Sequence, residues 1–268
     1  MNYKIVIAGC TKNSESYILS HLLRLVEVGK LFQTYNIIIY ENDSTDNTCE
    51  VLTQFKKDNT HFDFIHEENI IERLKHNVHI RAQTIAHGRN RLLKVISHLY
   101  SDYDYMIMVD LDNVLERFNP KHILNIFNYS DVWDVLTANC INKYYDIWAL
   151  RIPSSVWNQA IHGKIWDRPL AHDCWYQIVD NVHPRVCVKN YQKLIPLKFP
   201  LIETVSSFGG LGIYKIKAIK GCKYDSFSLD GTPQCEHIEF HKGIVQNGGR
   251  IFICPSLLIN CPTEHLQT

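Results

Sequence analysis

The stretch YMIMVDLDN, residues 105–113, is the part of the sequence that decides the fold. An unbroken run of apolar residues, YMIMV, is typical of a parallel strand that is buried between two layers of helices. Two carboxylates, Asp110 and Asp112, follow at once, where such a strand ends and the chain turns. The stretch therefore predicts a buried strand with two carboxylates at its carboxyl end.

The residues before this strand alternate between strand-like and helix-like patterns. Strands are predicted at 3–8, 36–40, 61–66 and 105–109, and helices at 16–28, 46–55 and 82–100. Strands that alternate with helices predict a parallel, doubly wound sheet, in which ligands bind beyond the carboxyl ends of the strands. The fold class expected for this half is therefore α/β.

The second half of the chain has a mixed pattern. Strands are predicted at 132–138, 146–151, 202–206, 211–214 and 250–254, and helices at 120–127, 173–179 and 236–246. The sequence shows no internal repeat and no linker rich in Pro, Gly and Ser. We therefore expect one domain over residues 1–268, in which a nucleotide-binding half, residues 1–113, is completed by a second half, residues 114–268, that binds something else.

The composition excludes several classes of protein. The 268 residues include 46% hydrophobic residues, and 28 basic residues balance 28 acidic ones, for a net charge of zero. This apolar content excludes a disordered chain, and a chain of this length buries roughly three quarters of its surface on folding. A binder of nucleic acid would need clustered basic residues, so we expect no nucleic-acid partner.

The sequence also gives expectations about location and redox state. It contains no apolar stretch near the roughly 20 residues of a transmembrane segment, and no signal peptide is seen, so we expect a soluble or cytoplasmic protein. The nine cysteines are odd in number and never form a C-x-x-C pair. This spacing argues against a disulfide framework or a zinc knuckle and favours buried, reduced thiols.

Polar clusters follow the predicted strands. Glu41 and Asp43 come after the second strand, Asp110 and Asp112 after the fourth, and the basic GRNR, residues 88–91, maps to the same edge of the sheet. Carboxylates at i and i+2 can bind Mg²⁺ or Mn²⁺ that also holds phosphate oxygens. A solvated acidic loop is the alternative for either acidic pair alone, and the coincidence of the clusters at one edge favours the ligand site.

Several motifs together resemble the nucleotide-diphospho-sugar glycosyltransferases of the GT-A fold. They are residues 3–12, YENDSTDNT at 40–48, the A-x-x-R-N segment IAHGRNRLL at 85–93, and the D-x-D at 110–112. Further on, ETVSSFGGLGIY at 203–214 and CEHIEFHKGIVQNGGRIFICP at 235–255 are similar to the acceptor-side Gly-Gly element and the E-D-x-E-F helix of inverting members. The sequence is most similar to fungal capsule-type mannosyltransferases and to related bacterial and large-DNA-virus sugar transferases.

The resemblance implies a hexosyltransferase that takes part in glycan biosynthesis. Such an enzyme moves a hexose or deoxyhexose from a UDP- or GDP-sugar to a hydroxyl of a glycan or glycoprotein acceptor, with inversion, and uses Mn²⁺ or Mg²⁺ held by Asp110 and Asp112. The other donor-binding residues that it implies are Thr11, Lys12, Glu41, Asp43, Arg81 and Arg89. The acceptor-side glycines that it implies are Gly209 and Gly210. Trp148 and Trp175 are further candidates for acceptor binding, with a place in the hydrophobic core as the alternative.

The catalytic base is expected at the start of the late helix. Where the inverting families place Asp after Glu, this chain has Glu236 followed by His237. A base at this place removes the proton from the attacking hydroxyl. Glu236 is the first choice, and His237 is the alternative.

Two other functions stay open at this point. The run MIMVDLDNV also fits the nucleophile strand of haloacid-dehalogenase-like phosphatases, in which Asp110 would attack phosphorus and Asp112 would act as acid and base. That family needs a later acidic pair, which is not found at the expected spacing. A non-catalytic sugar-binding module is the third function, and only activity separates it from a transferase.

Overall fold

The computed structural model describes residues 1–74, 80–116, 118–124, 126–171 and 184–261. The described residues form eight strands: β1 Lys4–Thr11, β2 Thr34–Asn42, β3 Phe62–Glu67, β4 Tyr105–Val109, β5 Val135–Cys140, β6 Ile202–Thr204, β7 Leu211–Lys215 and β8 Ile251–Ile259. The α-helices among them are α1 Ile18–Gly29, α2 Thr48–Asp58, α3 Ile70–Leu74, α4 Ile80–Leu99, α5 Pro184–Cys187 and α6 Glu236–Gln246. Short 3-10 helices lie at Asn113–Leu115, Pro120–Ile123, Ile126–Tyr129, His162–Lys164, Lys189–Tyr191 and Ile216–Ile219.

The strands form a single mixed sheet in the order β3-β2-β1-β4-β7-β5-β8-β6. The first four strands in this order are parallel to one another. Strand β7 is antiparallel to both of its neighbours, β8 is parallel to β5, and β6 closes the sheet antiparallel to β8. The predicted architecture, a mostly parallel first half completed by a mixed second half, is confirmed.

Helices cover both faces of the parallel half. Ile7 of β1 belongs to the same hydrophobic cluster as Leu22 of α1 and Leu52 of α2, whereas Ala8 belongs to the opposite cluster, with Leu92 of α4. Successive side chains of a strand point to opposite faces of the sheet. Strands with a helix layer on each face are therefore apolar throughout, which explains the unbroken runs NIIIY and YMIMV.

The parallel register brings the polar clusters to one edge. Thr11 at the end of β1 lies opposite Glu41 in β2, and β4 runs beside β1 in the same direction before the chain reaches Asp110. The carboxyl ends of β1, β2, β3 and β4 therefore meet at one edge of the sheet. The candidate site lies at this edge.

Two predicted elements of the second half are wrong. The segment 146–151 is a turn followed by isolated bridges, because the Asp146 carboxylate accepts hydrogen bonds from the backbone N–H groups of Ala149, at 3.3 Å, and Gly209, at 2.9 Å. An aspartate that bonds nearby backbone groups favours a turn over a strand. The segment 120–127 forms short 3-10 helices, the first capped by the Asn119 side chain, instead of an α-helix. The helix predicted at 173–179 lies outside the described residues.

The cysteines and the helices bear on the expected redox state and on membrane insertion. The eight cysteines within the described residues are free thiols, of which five are buried and three are half-buried. Among the described residues, none of the helices combines the length and the apolar character that a membrane crossing requires. The division into a donor half and an acceptor half stays a prediction.

Candidate active site

Arg89 on α4 lies at the centre of the candidate site. Its Nη2 donates a hydrogen bond to Oδ1 of Asp110, just beyond β4, at 2.7 Å. Its Nη1 is hydrogen-bonded to Oε1 of Glu236 and lies 2.7 Å from Nε2 of His237, both in the first turn of α6. Since Arg89 is only 4% exposed, a single buried cation joins the D-x-D to the helix of the predicted base.

Aromatic rings enclose the guanidinium. It lies 5.0 Å from the ring centroid of Phe208 and 5.4 Å from that of Tyr224, distances at which a cation is attracted to an aromatic face. Burial alone would lower the pKa of Arg89, but the carboxylates of Glu236 and Asp110 raise it above its ordinary value. Arg89 therefore stays charged in its buried position.

The site holds more negative than positive charge. The pKa of Asp110 is raised to about 7, chiefly by burial and also by Asp112, Asp146 and Glu236, while Arg89 opposes the rise. Four carboxyl groups thus lie close enough to interact with one guanidinium, whose single positive charge cannot balance all of them. Such a surplus of carboxylate oxygens is the donor set that hard divalent cations such as Mg²⁺ and Mn²⁺ prefer.

Asp112 is held by the turn that follows β4. Its Oδ1 accepts a hydrogen bond from the backbone N–H of Val114 at 3.1 Å. This bond closes the turn that leads into the 3-10 helix Asn113–Leu115 and fixes the direction of the carboxylate. Asp112 is therefore positioned by the backbone, whereas Asp110 is positioned by Arg89.

Asp146 is a residue of this site that the sequence reasoning missed. The sequence pattern predicts Asp146 at the start of a strand. In the structure its carboxylate accepts the N–H of Gly209 at 2.9 Å, and the next carbonyl, that of Gly210, accepts the N–H of Asp110 at 2.9 Å. The Gly-Gly turn thus connects two carboxylates of the site. Burial raises the pKa of Asp146 as well. The sequence signal that could have identified Asp146 is a charged residue directly before the apolar segment IWAL.

The two glycines of this turn are required by conformation and by space. Gly209 has φ +66° and Gly210 has φ +87°, in the region that residues with a Cβ rarely adopt. A Cβ on Gly210 would lie 2.9 Å from the hydroxyl of Tyr145, and one on Gly209 would lie 2.5 Å from the carbonyl oxygen of Ala138. The backbone therefore passes closer to its neighbours here than any other residue would allow.

The two candidates for the base differ in their surroundings. His237 is 2% exposed, stacks on Phe208 with 3.9 Å between ring centroids, and presents Nε2 to Arg89. Burial lowers its pKa well below the ordinary value, and Arg89 and His241 lower it further, so the imidazole is neutral and accepts the hydrogen bond from Arg89. In Glu236, Oε1 accepts a hydrogen bond from Nη1 of Arg89.

The predicted donor-side carboxylates at the end of β2, Glu41 within the strand and Asp43 just beyond it, both hold the local backbone. Oε1 of Glu41 accepts the N–H of Ser44 at 2.9 Å, and its side chain is fully buried. The two carboxylate oxygens of Asp43 accept the N–H groups of Ile70 and Ile71 at 3.3 and 3.1 Å, at the start of α3. These bonds shape the YENDST turn beside the carboxyl end of β1.

The remaining predicted residues are spread more widely. Thr11 ends β1 and shares a hydrogen bond of 2.6 Å with the hydroxyl of Ser14, and Lys12 follows it, half-buried. Arg81 is exposed in the first turn of α4, two turns before the buried Arg89. Trp148 is half-buried and packs against the hydrophobic clusters. Trp175 lies outside the described residues.

Comparison with known proteins shows likeness in structure alone. No protein-family model and no curated protein matches the sequence. The mannosyltransferase PcManGT from Pyrobaculum calidifontis, in complex with GDP-Man and Mn²⁺, is 11% identical, with a TM-score of 0.52 over 97% of this chain and 57% of that one. S. aureus TarS 1-349 in complex with UDP is 14% identical, with a TM-score of 0.50 over 98% of this chain and 62% of that one.

This likeness confirms the GT-A fold that the sequence motifs predict. The chain spans about three fifths of the length of the two structures. At such low identity the likeness shows the fold, and the same fold can host different reactions. The activity depends on the residues at the sheet edge.

Proposed function

We propose that the protein is a metal-dependent glycosyltransferase. It moves a hexose or deoxyhexose from a UDP- or GDP-sugar to a hydroxyl of a glycan or glycoprotein, with inversion at the transferred carbon. The observation that carries the proposal is the convergence of Asp110, Asp112 and Glu236 at the carboxyl edge of a GT-A sheet, with Arg89 between them. Carboxylates that can hold a cation, beside a carboxylate that can accept a proton, are the groups that this transfer requires.

The residues at this edge fit a divalent cation. Asp110 and Asp112 would hold it, and the neighbouring Asp146 adds negative charge that Arg89 alone does not balance. Bound Mn²⁺ or Mg²⁺ supplies Lewis-acid stabilisation of the charge on the diphosphate leaving group. The surplus of hard oxygen donors supports this choice of metal.

Arg89 serves in this proposal as a positioning residue. The resemblance implied that it binds the donor, but both of its terminal nitrogens are engaged with Asp110, Glu236 and His237. It therefore holds the two carboxyl groups, those of Asp110 and Glu236, at a fixed separation. Lys12, half-buried after β1, is then the candidate cation for the diphosphate.

We assign the base to Glu236. Its carboxylate accepts the proton of the acceptor hydroxyl while the hydroxyl oxygen bonds to the sugar carbon and the bond from that carbon to the diphosphate oxygen breaks. A positioned base contributes about 10² to 10⁴ in rate. His237 is the weaker choice, because its Nε2 lone pair already accepts a hydrogen bond from Arg89 and its pKa is lowered by burial.

The remaining residues divide between donor and acceptor. Thr11 and Asp43 stay on the donor side, and Glu41 contributes by holding the turn that presents Asp43. The left-handed Gly209 and Gly210 place backbone beside Asp110, where the transferred sugar is expected. The roles of Arg81, Trp148 and Trp175 stay predictions.

A thermal-shift panel tests the proposed donor and metal. UDP-, GDP- and dTDP-sugars are added with and without Mn²⁺. A ligand that binds only the native state increases the free energy of unfolding, by about 2.7 kcal/mol at 100 times its Kd, and thereby raises the melting temperature. We expect one nucleotide class to stabilise the protein, and only with metal. No stabilisation by any sugar nucleotide with Mn²⁺ contradicts the proposal.

A pair of variants tests the reaction. Asp112→Asn should reduce metal-dependent hydrolysis or transfer by about 10²-fold or more, since the cation loses a ligand. Asp131→Asn, on the surface of the loop before β5, should match the wild type. Unaltered turnover by the Asp112 variant removes the D-x-D from the mechanism, and binding without any turnover identifies a non-catalytic module.

A further inference from the structure

Three metal-ligating side chains converge at the outer end of the same sheet edge. Glu41 comes from β2, Cys49 from the first turn of α2 and His66 from β3. Sγ of Cys49 lies 3.0 Å from Oε2 of Glu41 and 3.5 Å from Nδ1 of His66, and Nδ1 of His66 also contacts Oε2 of Glu41. The three ligand atoms therefore point to one spot, although they come from three elements.

This arrangement differs from a nucleophilic cysteine triad. In such a triad the histidine uses one ring nitrogen for the nucleophile and the other for the carboxylate. Here Nδ1 of His66 faces both Cys49 and Glu41. Burial, together with Glu41, also raises the pKa of Cys49 to about 12, so the thiol is no nucleophile near neutral pH.

We propose that Glu41, Cys49 and His66 form a binding site for a zinc-class divalent cation. Sulfur, imidazole nitrogen and carboxylate oxygen are the donors that Zn²⁺ takes, and three protein ligands leave the fourth position to water. A tetrahedral cation about 2.3 Å from a thiolate and about 2.0 Å from an imidazole nitrogen holds these atoms about 3.5 Å apart. The Sγ to Nδ1 distance of 3.5 Å matches this separation.

The carboxylate lies closer to the thiol because a proton lies between them. Sγ of Cys49 donates that proton to Glu41 at 3.0 Å. Cation binding would release the thiol proton to solvent and take the imidazole in its neutral form, as metal sites with these ligands require. The atoms can then separate to the distances of a coordination shell.

The surroundings of the cluster support a metal site. The Glu41 side chain is fully buried and its other oxygen is fixed by the N–H of Ser44, whereas the His66 side chain is 40% exposed. A cation can therefore enter from the side of His66, where water can supply the fourth ligand. Nε2 of His66 lies 3.4 Å from a carboxylate oxygen of Glu68. A carboxylate on the far nitrogen of a ligating histidine is the usual outer partner in zinc sites.

The proposed site is separate from the D-x-D and does not rest on the proposed transferase activity. Strand β1 lies between β2, which carries Glu41, and β4, which precedes Asp110. The ligands also differ in kind, because a thiol and an imidazole favour Zn²⁺, whereas carboxylates alone favour Mn²⁺ or Mg²⁺. A zinc-class ion would connect the ends of β2, α2 and β3.

Cobalt titration tests the site directly. Co²⁺ is added to the reduced, metal-free protein, and a thiolate ligand gives a charge-transfer band in the near ultraviolet. We expect this band to saturate at one equivalent in the wild type and to be lost in Cys49→Ser. The matched control Cys222→Ser, at another half-buried thiol, should keep it.

The other ligands give graded outcomes. His66→Gln should weaken Co²⁺ binding by at least about 10-fold, and Glu68→Gln by about 10-fold, the low end for an outer partner. Since His66 and Glu68 are exposed, these variants report on the site even where Cys49→Ser disturbs the fold. Absence of a thiolate band in the wild type, or a band of wild-type affinity in Cys49→Ser, overturns the proposal. Asp112→Asn should keep the band, which separates this result from a failure of the transferase proposal.

Discussion

Arg89 and Asp110 form an ion pair of 2.7 Å across the candidate site, between the middle of α4 and the end of β4. The other terminal nitrogen of the same guanidinium pairs with Glu236 at the start of α6. One side chain thus fixes the positions of two carboxylates that are distant in sequence. This pairing gives a physical reason why the R-N segment, the D-x-D and the E-H segment occur together in one chain.

Removal of Arg89 should cost much more stability than removal of its helix neighbour Arg91. Arg89→Ala leaves Asp110 and Glu236 without their buried cation, and a broken buried pair costs about 3–5 kcal/mol. Arg91 pairs with Glu67 but is 39% exposed, so Arg91→Ala should cost about 1 kcal/mol or less. Urea unfolding in the presence of a chelator measures both values. Equal losses would show that the guanidinium of Arg89 does not hold the carboxylates together.

Gly210→Ala should disturb both the fold and the site. Its left-handed φ costs a residue with a Cβ about 1–2 kcal/mol, and the new Cβ would lie 2.9 Å from Tyr145 and Ile259, which adds an overpacking cost of about 1–3 kcal/mol. Because the Gly210 carbonyl accepts the Asp110 N–H, turnover should also fall.

Gly231→Ala is the matched control for this variant. Gly231 has a similar φ of +82°, but nothing lies within 4 Å of its Cβ position. It should show the backbone cost alone and keep full turnover. Thermal unfolding and the transfer assay, applied to both variants, separate strain from packing; identical losses in both would contradict the close approach at Gly210.

Glu236→Gln should retain donor binding and lose transfer. The amide has nearly the same shape but cannot take the proton of the acceptor, so the rate should fall by about 10² to 10⁴. Glu239→Gln, one turn further along α6, removes a carboxylate that pairs with Lys242 and should transfer normally. The measurement is transfer rate beside donor affinity from thermal shift. Full transfer by Glu236→Gln would move the base to His237 or elsewhere.

The sequence predicted the parallel half of the fold well because its signals are local. The runs NIIIY and YMIMV are apolar throughout, which only burial on both faces explains, and the structure has β2 and β4 there. Glu236 also begins its predicted helix. The strand predicted at 146–151 was wrong because Asp146 bonds to Gly209, a partner that no local pattern reveals.

The sequence predicted which residues belong to the site better than it predicted which of them are in contact. The spacing of residues placed Arg89 and Asp110 at one edge, but it could not show that Arg89 is fully paired instead of open to a diphosphate. The Cys49–His66 approach was missed altogether, since the two belong to different elements and carry no motif. Strand order and side-chain direction decide such contacts, and both are properties of the whole fold.

Acid should destabilise the protein partly through His241. This side chain is fully buried, its Nδ1 is 2.9 Å from the hydroxyl of Ser206 and its Nε2 is 3.1 Å from that of Tyr214. Burial, with a smaller contribution from the nearby Arg89, lowers its pKa to about 3. Between about pH 3 and pH 6.5, the unfolded chain, with a histidine pKa of about 6.5, therefore binds a proton at His241 that the folded chain does not bind. The contribution of His241 to stability is complete above about pH 6.5 and is lost as the pH falls toward 3.

His241→Asn should make this pH dependence shallower, because the amide can replace the hydrogen bonds but does not titrate. The wild type should lose about 2 kcal/mol more than the variant between about pH 6.5 and pH 5, at about 1.4 kcal/mol for each pH unit. Urea unfolding across this range measures the difference. His237, which stacks on His241, is present in both proteins, and its pKa is lowered mainly by burial, which the substitution leaves in place, so its contribution to the difference is small. Parallel pH profiles for the wild type and the variant would mean that protonation of His241 is tolerated in the folded state.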